Sequence, residues 1–428
     1  MAFKVIQKLD VSRQLSDGSK VGVGVLAQNS EGVFFQYDAS YLARFGNLSP
    51  FSLQENLSVQ AAPKSPHLGL HGVFADALPD GWGLLLQDRI FRQQGILPAN
   101  LTAMDRLAFV GDRALGALSF SPTSEFATID DKHVGLHELG INAQQIFDGQ
   151  TEHVLSALVT AGSSGGARPK AQIYVAGDTF NECRTAYQKG DDAWIIKFTS
   201  SNLSLGHEEG LCEAAYLILA ERLKLNPPDW TLLNAPEHSG ANKWLALKRF
   251  DVTRLPDGTS GRLHMHSACG LLDADFRSPS LDYDDLIRAS RVLCKSPAVG
   301  QLQFKRAMFN LVFLNQDDHS KNWAFLQDDV GKWQPAPFYD VTFSPHPFGE
   351  QATSFAGFGK NPPLKALQKL AQSAGFAKWQ NALPIVEETL DAVGDFAQLA
   401  TSIGVSPATI TMIAKQLEES RQRVLAML

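Results

Sequence analysis

The chain is poor in cysteine, in net positive charge and in long apolar runs, and each shortage excludes something. Its four cysteines, Cys183, Cys212, Cys269 and Cys294, form no C-x-x-C pair. They are too few to staple 428 residues, so reduced thiols and a reducing compartment are expected. No apolar run approaches a membrane span, and the first ten residues lack the apolar core of a signal peptide. A cytoplasmic location with no membrane attachment is the expectation. Lys and Arg (38) are outnumbered by Asp and Glu (45), for a formal net charge of -7. Nucleic acid is held through clustered Lys and Arg, so direct binding by this chain alone is not expected. Internal repeats and low-complexity tracts are also missing. What remains is ordinary globular composition, 44% hydrophobic and 19% charged, in a length that suggests two or three domains.

Two β-rich runs, 21–26 and 33–37, flank the polar turn Asn29-Ser30-Glu31-Gly32 and read as a hairpin. Pro79-Asp80-Gly81 opens a run of helical period over 82–94. Strands are expected at 171–175, 193–198 and 244–250, and a helix over 208–223. The 302–314 run is apolar on most faces and predicts a buried helix. Residues 364–428 suggest amphipathic helices, such as 410–425. The order β-rich, mixed, α-rich predicts an α+β chain of two lobes with a cleft between them.

The most informative segment is Leu314-Asn315-Gln316-Asp317-Asp318-His319-Ser320-Lys321-Asn322-Trp323, where Asp317 and Asn322 stand in D-x-x-x-x-N spacing. Protein kinases present a catalytic Asp and a metal-binding Asn at this interval, because one loop must serve both the acceptor hydroxyl and Mg²⁺. Pro337-Phe338-Tyr339-Asp340 follows, and its carboxylate can chelate Mg²⁺ between nucleotide phosphates. Alone, the D-x-x-x-x-N spacing is a weak pattern that more often marks a polar helix cap. Upstream partners change the weighting. Lys197 ends an apolar strand, as the phosphate-pairing Lys does in V-A-I-K, and Glu213 lies on the next helix. Before both comes Gly162-Ser163-Ser164-Gly165-Gly166-Ala167-Arg168-Pro169-Lys170, whose backbone N–H groups can cradle phosphates.

With these segments, Leu78-Pro79-Asp80-Gly81-Trp82-Gly83 and Phe109-Val110-Gly111-Asp112-Arg113-Ala114-Leu115-Gly116-Ala117-Leu118 make the chain resemble the HipA-type toxin kinases over nearly its whole length. The resemblance implies a two-lobed protein-kinase-like fold with a β-rich N-terminal lobe and an all-helical C-terminal lobe. It divides the chain into a β-rich N-terminal subdomain (1–120), a kinase N-lobe (121–250) and a helical C-lobe (251–428). It implies an ATP- and Mg²⁺-dependent serine/threonine protein kinase, with Asp317 as catalytic acid and Asn322 and Asp340 on the metal. Lys197, Lys170, Gly165, Gly166 and Ala167 would serve the phosphates, and Glu213 matches the family's helix Glu. Leu247-Lys248-Arg249-Phe250-Asp251 matches the hinge that grips adenine, with Lys248 and Phe250 at the nucleotide; the family often has an acid where Lys248 stands. Ser163 aligns with the serine that relatives autophosphorylate, with Ser164 as runner-up. Implied partners are a protein substrate, an aminoacyl-tRNA synthetase or another translation factor, and a HipB-like DNA-binding antitoxin on a separate chain.

Rival readings rest on the same residues. A kinase of a small molecule or lipid would use the same machinery, and a catalytically dead binding module would not need Lys197 and both metal positions. Gly162-Ser163-Ser164-Gly165-Gly166 also fits the G-x-S-x-G hydrolase elbow, which requires a strand before the serine and a helix after it. His264-Met265-His266 with Cys269 suggests a metal site, but no fourth ligand has suitable spacing; closure of a strand and start of a helix is the simpler reading. His319 is expected to fix its loop by a hydrogen bond.

Overall fold

A computed structural model describes residues 3–127, 135–161, 165–177, 180, 183–278 and 280–428. The first 120 residues build on an antiparallel sheet ordered Gln60–Ala61, Val33–Tyr37, Lys20–Gln28, Lys8–Gln14, Leu118–Ser121. The expected hairpin lies at its centre. Asn29 Oδ1 accepts the N–H groups of Glu31 (2.8 Å) and Gly32 (3.3 Å), closing the turn. Strand alternation turns Leu9, Val11 and Arg13 to the buried face.

A second antiparallel sheet follows, ordered Cys183–Arg184, Lys170–Ala176, Asp191–Lys197, Lys243–Lys248, Trp230–Asn234. Its register sets Lys170 opposite Lys197. Trp244 and Leu245 are neighbours on one strand and so face opposite sides. Helix Leu136–Phe147 packs on the Trp244 side, where a Cβ on Gly140 would lie 2.2 Å from the indole. Helix Glu209–Arg222 covers the Leu245 side through Gly210, and is buried on nearly every face because a helical core lies beyond it. That core gathers Tyr283–Cys294, Pro297–Val312, Leu364–Ser373, Trp379–Asp391, Phe396–Ser402 and Pro407–Leu425.

The two-lobed α+β architecture is the one expected, with one difference in the C-terminal part. That part is not helical throughout: His264–Ser267, Ala324–Gln327 and Trp333–Pro335 form a three-stranded antiparallel sheet, and Val252–Arg254 pairs with Ser260–Arg262. These strands are too short to show a period of their own, and the 264–267 pairing with 324–327 is non-local.

This small sheet is where the N-terminal subdomain docks. Arg13, wholly buried, donates to Gln327 Oε1 (3.0 Å), Gln327 O (3.2 Å) and Asp328 O (2.9 Å). Asp76 accepts from His266 Nδ1 (2.6 Å), Ser267 N (2.7 Å) and Ser267 Oγ (2.5 Å). His266 Nε2 meets Ser49 Oγ at 2.8 Å, and His264 Nε2 meets Leu48 O at 3.1 Å. Both histidines thus face the N-terminal subdomain. Burial, with Arg13 nearby, holds His264 well below the ordinary histidine pKa. The docking also needs two glycines in contact: a Cβ on Gly72 would lie 2.0 Å from Gly270 O. Gly72→Ala and Gly270→Ala are each expected to destabilise the chain by about 1–3 kcal/mol or more through overpacking, read as a lower Tm in thermal unfolding.

Candidate active site

Strand Asp191–Lys197 ends where its last side chain turns into the interlobe space. Lys197 Nζ lies 2.6 Å from Glu213 Oε1, on the first half of helix Glu209–Arg222, and also bonds Asp340 Oδ1. Burial opposes the Lys197 charge, but Asp340 and Glu213 outweigh it and hold the ammonium above its ordinary pKa. Burial likewise opposes the Asp340 charge, yet Lys197 and Lys170 hold its carboxyl well below the usual carboxylate range. Burial raises Glu213, Lys197 pulls it back only in part, and Asp340 adds repulsion. Asp340 itself sits at φ 52°, in the left-handed region a non-glycine residue rarely adopts.

Lys170 heads the neighbouring strand and folds back on its own loop, its Nζ 2.6 Å from Gly165 O. Burial lowers its pKa. Arg168 in the same loop pairs with Glu209 at 3.2 Å. Gly166 has φ 95°, and a Cβ there would lie 2.7 Å from Lys170 Nζ. Ser163 and Ser164 lie outside the described residues. Around them, helix Ser156–Thr160 comes first and strand Lys170–Ala176 second, the reverse of the strand-then-helix order of a hydrolase elbow.

The loop after helix Pro297–Val312 carries Asp317, whose side chain is 66% exposed, and Asn322, whose Nδ2 donates to Asp317 O at 2.7 Å. Its shape is fixed by a residue to which the sequence reading attached no role. Asp318 is fully enclosed, accepting from Ala352 N (2.8 Å), Thr353 N (3.2 Å) and Tyr283 OH (2.5 Å). Burial pushes its carboxyl up to about 7 despite those bonds. The adjacent acid pair was the available signal: one member turns out and the other in. Among the described residues the His319 ring makes no hydrogen bond that fixes the loop, contrary to expectation. Its Nε2 is 3.7 Å from Asp317 Oδ1, too far for one, and its ring packs on Phe276 at 5.8 Å.

At the hinge, Lys248 reaches Asp192 (3.3 Å) and lies over Trp194, while Phe250 packs on Tyr339 at 5.5 Å. Beside them the buried Arg249–Asp251 pair (2.5 Å) takes the N–H of Gly116 on Asp251 Oδ2 at 2.6 Å. That contact ties the 109–118 motif to the hinge. Leu78-Pro79-Asp80-Gly81-Trp82 has an analogous structural task. Asp80 Oδ1 accepts the N–H of Gly166, and Oδ2 takes Lys321 Nζ at 2.6 Å. Burial raises the Asp80 carboxyl, but Lys321 and the Gly166 N–H leave it below its ordinary value. Trp82 N bonds Gly166 O (3.0 Å) and Trp82 Nε1 bonds Lys170 O (2.9 Å). One buried carboxylate thus joins the glycine-rich loop to the Asp317 loop.

The glycine-rich loop, the 247–251 stretch and the Asp317 loop border one cavity of about 490 Å³. Its walls include Gly165, Gly166, Ala167, Lys170, Lys197, Lys248, Phe250, Asp317, Asn322 and Asp340; Glu213 lies behind Lys197. The arrangement, Lys170 and Lys197 facing the exposed Asp317 carboxylate across a cleft between a β-sheet lobe and a helical lobe, is that of the protein-kinase-like class. Family comparison narrows this. Residues 162–420 match the HipA-like C-terminal domain and residues 18–121 the HipA N-terminal domain, and the chain belongs to the HipA family.

Among curated proteins it is 32% identical over 114 residues to Y4mE of Sinorhizobium fredii, covering 25% of this chain and 26% of that protein. It is 24% identical over 316 residues to the serine/threonine-protein kinase toxin HipA of Shewanella oneidensis, covering 65% of this chain and 66% of that protein. Among solved structures, the Shewanella oneidensis toxin–antitoxin complex of HipA, HipB and operator DNA contains a chain of like fold. The TM-score is 0.69 at 17% identity, over 97% of this chain and 98% of that one.

Two outcomes follow from the polar contacts. Asp80→Ala and Lys321→Ala should each cost about 1.5–3 kcal/mol in chemical denaturation. The double variant should lose little more than either single, as a coupled pair does. For Asp318, a folded pKa raised above the unfolded one means the native state binds the extra proton. Its contribution to stability therefore falls as pH rises from about 4 to 7. The stability difference between wild type and Asp318→Asn should drift against wild type across that window; a flat difference would contradict the assignment.

Proposed function

We propose that the chain transfers the γ-phosphoryl group of ATP, with Mg²⁺, to a serine or threonine hydroxyl of a cytoplasmic protein. In this reading it acts as a HipA-type toxin, held in check by a small HipB-like DNA-binding antitoxin on a separate chain. One observation carries the reading: the Lys197–Glu213 pair, Asp340, Asn322 and Asp317 converge on a single cleft.

Lys197 and Lys170 would take the nucleotide phosphates, with the backbone of Gly165, Gly166 and Ala167. The backbone at Lys248 and Phe250 would hold adenine. The donors suit a hard cation: Asn322 spends its Nδ2 on Asp317 O, which leaves its amide oxygen free, and Asp340 adds a carboxylate. Thr342, whose buried hydroxyl has no partner among the described residues, lines the same cleft. When bound, Mg²⁺ supplies neutralisation of the charge on the phosphate oxygens. As the acceptor oxygen bonds the γ-phosphorus, its proton passes to Asp317. The bond to the β–γ bridging oxygen breaks and ADP leaves. Ser163, or Ser164 in its place, is proposed as the self-modified residue. A phosphoserine there would bring nearly two negative charges into competition with ATP for the same loop.

Asp317→Ala and Asp340→Ala are each expected to lower incorporation of labelled phosphate on the order of 10³-fold or more, with the fold intact. In calorimetry with a non-hydrolysable ATP analogue, Asp340→Ala and Asn322→Ala should weaken binding more than Asp317→Ala. Near-normal incorporation in either first variant, or equal loss of affinity in all three, would overturn these roles.

A further inference from the structure

A second cavity, of about 240 Å³, adjoins the interlobe cleft. The two share Phe276, Arg277, Asp317 and His319 in their walls, so the Asp317 carboxylate is reached from both. The rest of the second cavity comes from the segment before helix Tyr283–Cys294 and from the stretch beyond Asp340 that includes His346, Glu350 and Gln351. It is a firm wall. Gln351, 4% exposed, gives its Nε2 to Asp318 at 3.4 Å, and Asp318 is itself anchored by two backbone N–H groups. The remaining amide oxygen of Gln351 has no hydrogen-bond partner among the described residues.

The charge of this cavity is one-sided. Asp275, Asp317 and Glu350 stand against Arg277, three carboxylates to one guanidinium. Asp275 is taken up by its own turn, accepting from Arg277 N (3.0 Å) and Ser278 Oγ (3.3 Å). Glu350 is exposed and neither hydrogen-bonded nor ion-paired among the described residues. Beside it Phe348 stands 70% exposed on a turn pinned by Gly349 N to His346 O (2.8 Å) and Lys360 Nζ to Phe348 O (2.7 Å). An apolar ring and an unpaired carboxylate on a fixed turn, next to a cavity ending at Asp317, ask for an occupant longer than one functional group. A small hydroxylated molecule would fill the cavity and leave Phe348 uncovered. An anionic lipid headgroup would meet the surplus of negative charge.

We infer that this cavity receives the acceptor as an extended protein segment. Its Ser or Thr hydroxyl reaches Asp317, a nearby Lys or Arg meets Glu350, and an apolar side chain covers Phe348. The inference rests on the kinase reading and adds to it the residues, Glu350 and Phe348, that select the acceptor segment. The test uses the full chain with Mg-ATP and a positional-scanning library of Ser- and Thr-centred peptides. Wild type should select a basic residue at one position near the acceptor. Glu350→Lys should abolish or reverse that selection toward Asp or Glu. Phe348→Asp should raise KM for the best peptide about tenfold with kcat within about twofold, the pattern of lost binding rather than lost chemistry. Both variants should bind a non-hydrolysable ATP analogue as wild type does. The inference is overturned if no basic preference appears, or if Glu350→Lys leaves it unchanged. It is also overturned if wild type binds Mg-ATP and phosphorylates small alcohols or phosphoinositide vesicles but no peptide. Failure of the kinase reading looks different: wild type then neither binds Mg-ATP nor turns it over.

Discussion

Lys197 carries one positive charge between two carboxylates, and all three groups are drawn from different parts of the chain. Glu213 rides a helix shared by the sheet and the helical core, and Asp340 follows the small sheet of the C-terminal part. Breaking such a contact by removing one partner leaves an uncompensated buried charge, a change worth several kcal/mol. The ion cluster therefore registers the two lobes against each other. It also presets the cleft: two acids around one ammonium leave negative charge in excess, and Lys170 and Arg168 close by supply the balance.

Around this cluster the loops are held by polar groups with few alternatives. Asp318 collects backbone N–H groups from the stretch beyond Asp340, Asp80 collects one from the glycine-rich loop, and Asp251 collects one from the 109–118 motif. Each is a buried carboxylate that would be costly without its partners. Irregular backbone is tied down in this way without lending residues to a helix or sheet. What the Asp317 loop leaves facing the cleft, the Asp317 carboxylate and the amide oxygen of Asn322, is correspondingly small.

Much of this site was legible because its parts are local. A Lys at a strand end, a Glu on the following helix and the Asp317–Asn322 spacing are each carried by one contiguous segment, and the structure brings them to one cleft. The strands at 171–175 and 193–198 and the helix over 208–223 carried clear periods and appear within a residue or two of where they were expected. What escaped is non-local or depends on burial. Asp80 and Lys321 are 241 positions apart, and Gly116 and Asp251 are 135 apart. Nothing in either segment names its partner. Asp317 and Asp318 are adjacent and chemically alike, and only the tertiary environment sends one to solvent and the other inside. Of the three-stranded sheet at 264–335, the close of a strand at His264-Met265-His266 and the helix start after it were expected and are found; its partners at 324–327 and 333–335 were missed, because strands of three or four residues acquire their identity from their neighbours.

The Asp80 bridge makes the N-terminal subdomain a thermodynamic participant in the cleft. Its carboxylate touches both loops that border the cavity, and its subdomain is braced through Asp76 and Arg13 on the small sheet of the C-terminal part. Binding free energies coupled through a shared element are reciprocal. A molecule that grips the outer face of this subdomain and shifts Asp80 must change affinity in the cleft by some factor. Filling the cleft must then change the grip on that outer face by the same factor. Coupling carried by Asp80 would therefore run in both directions, outward and inward, from the same pair of contacts.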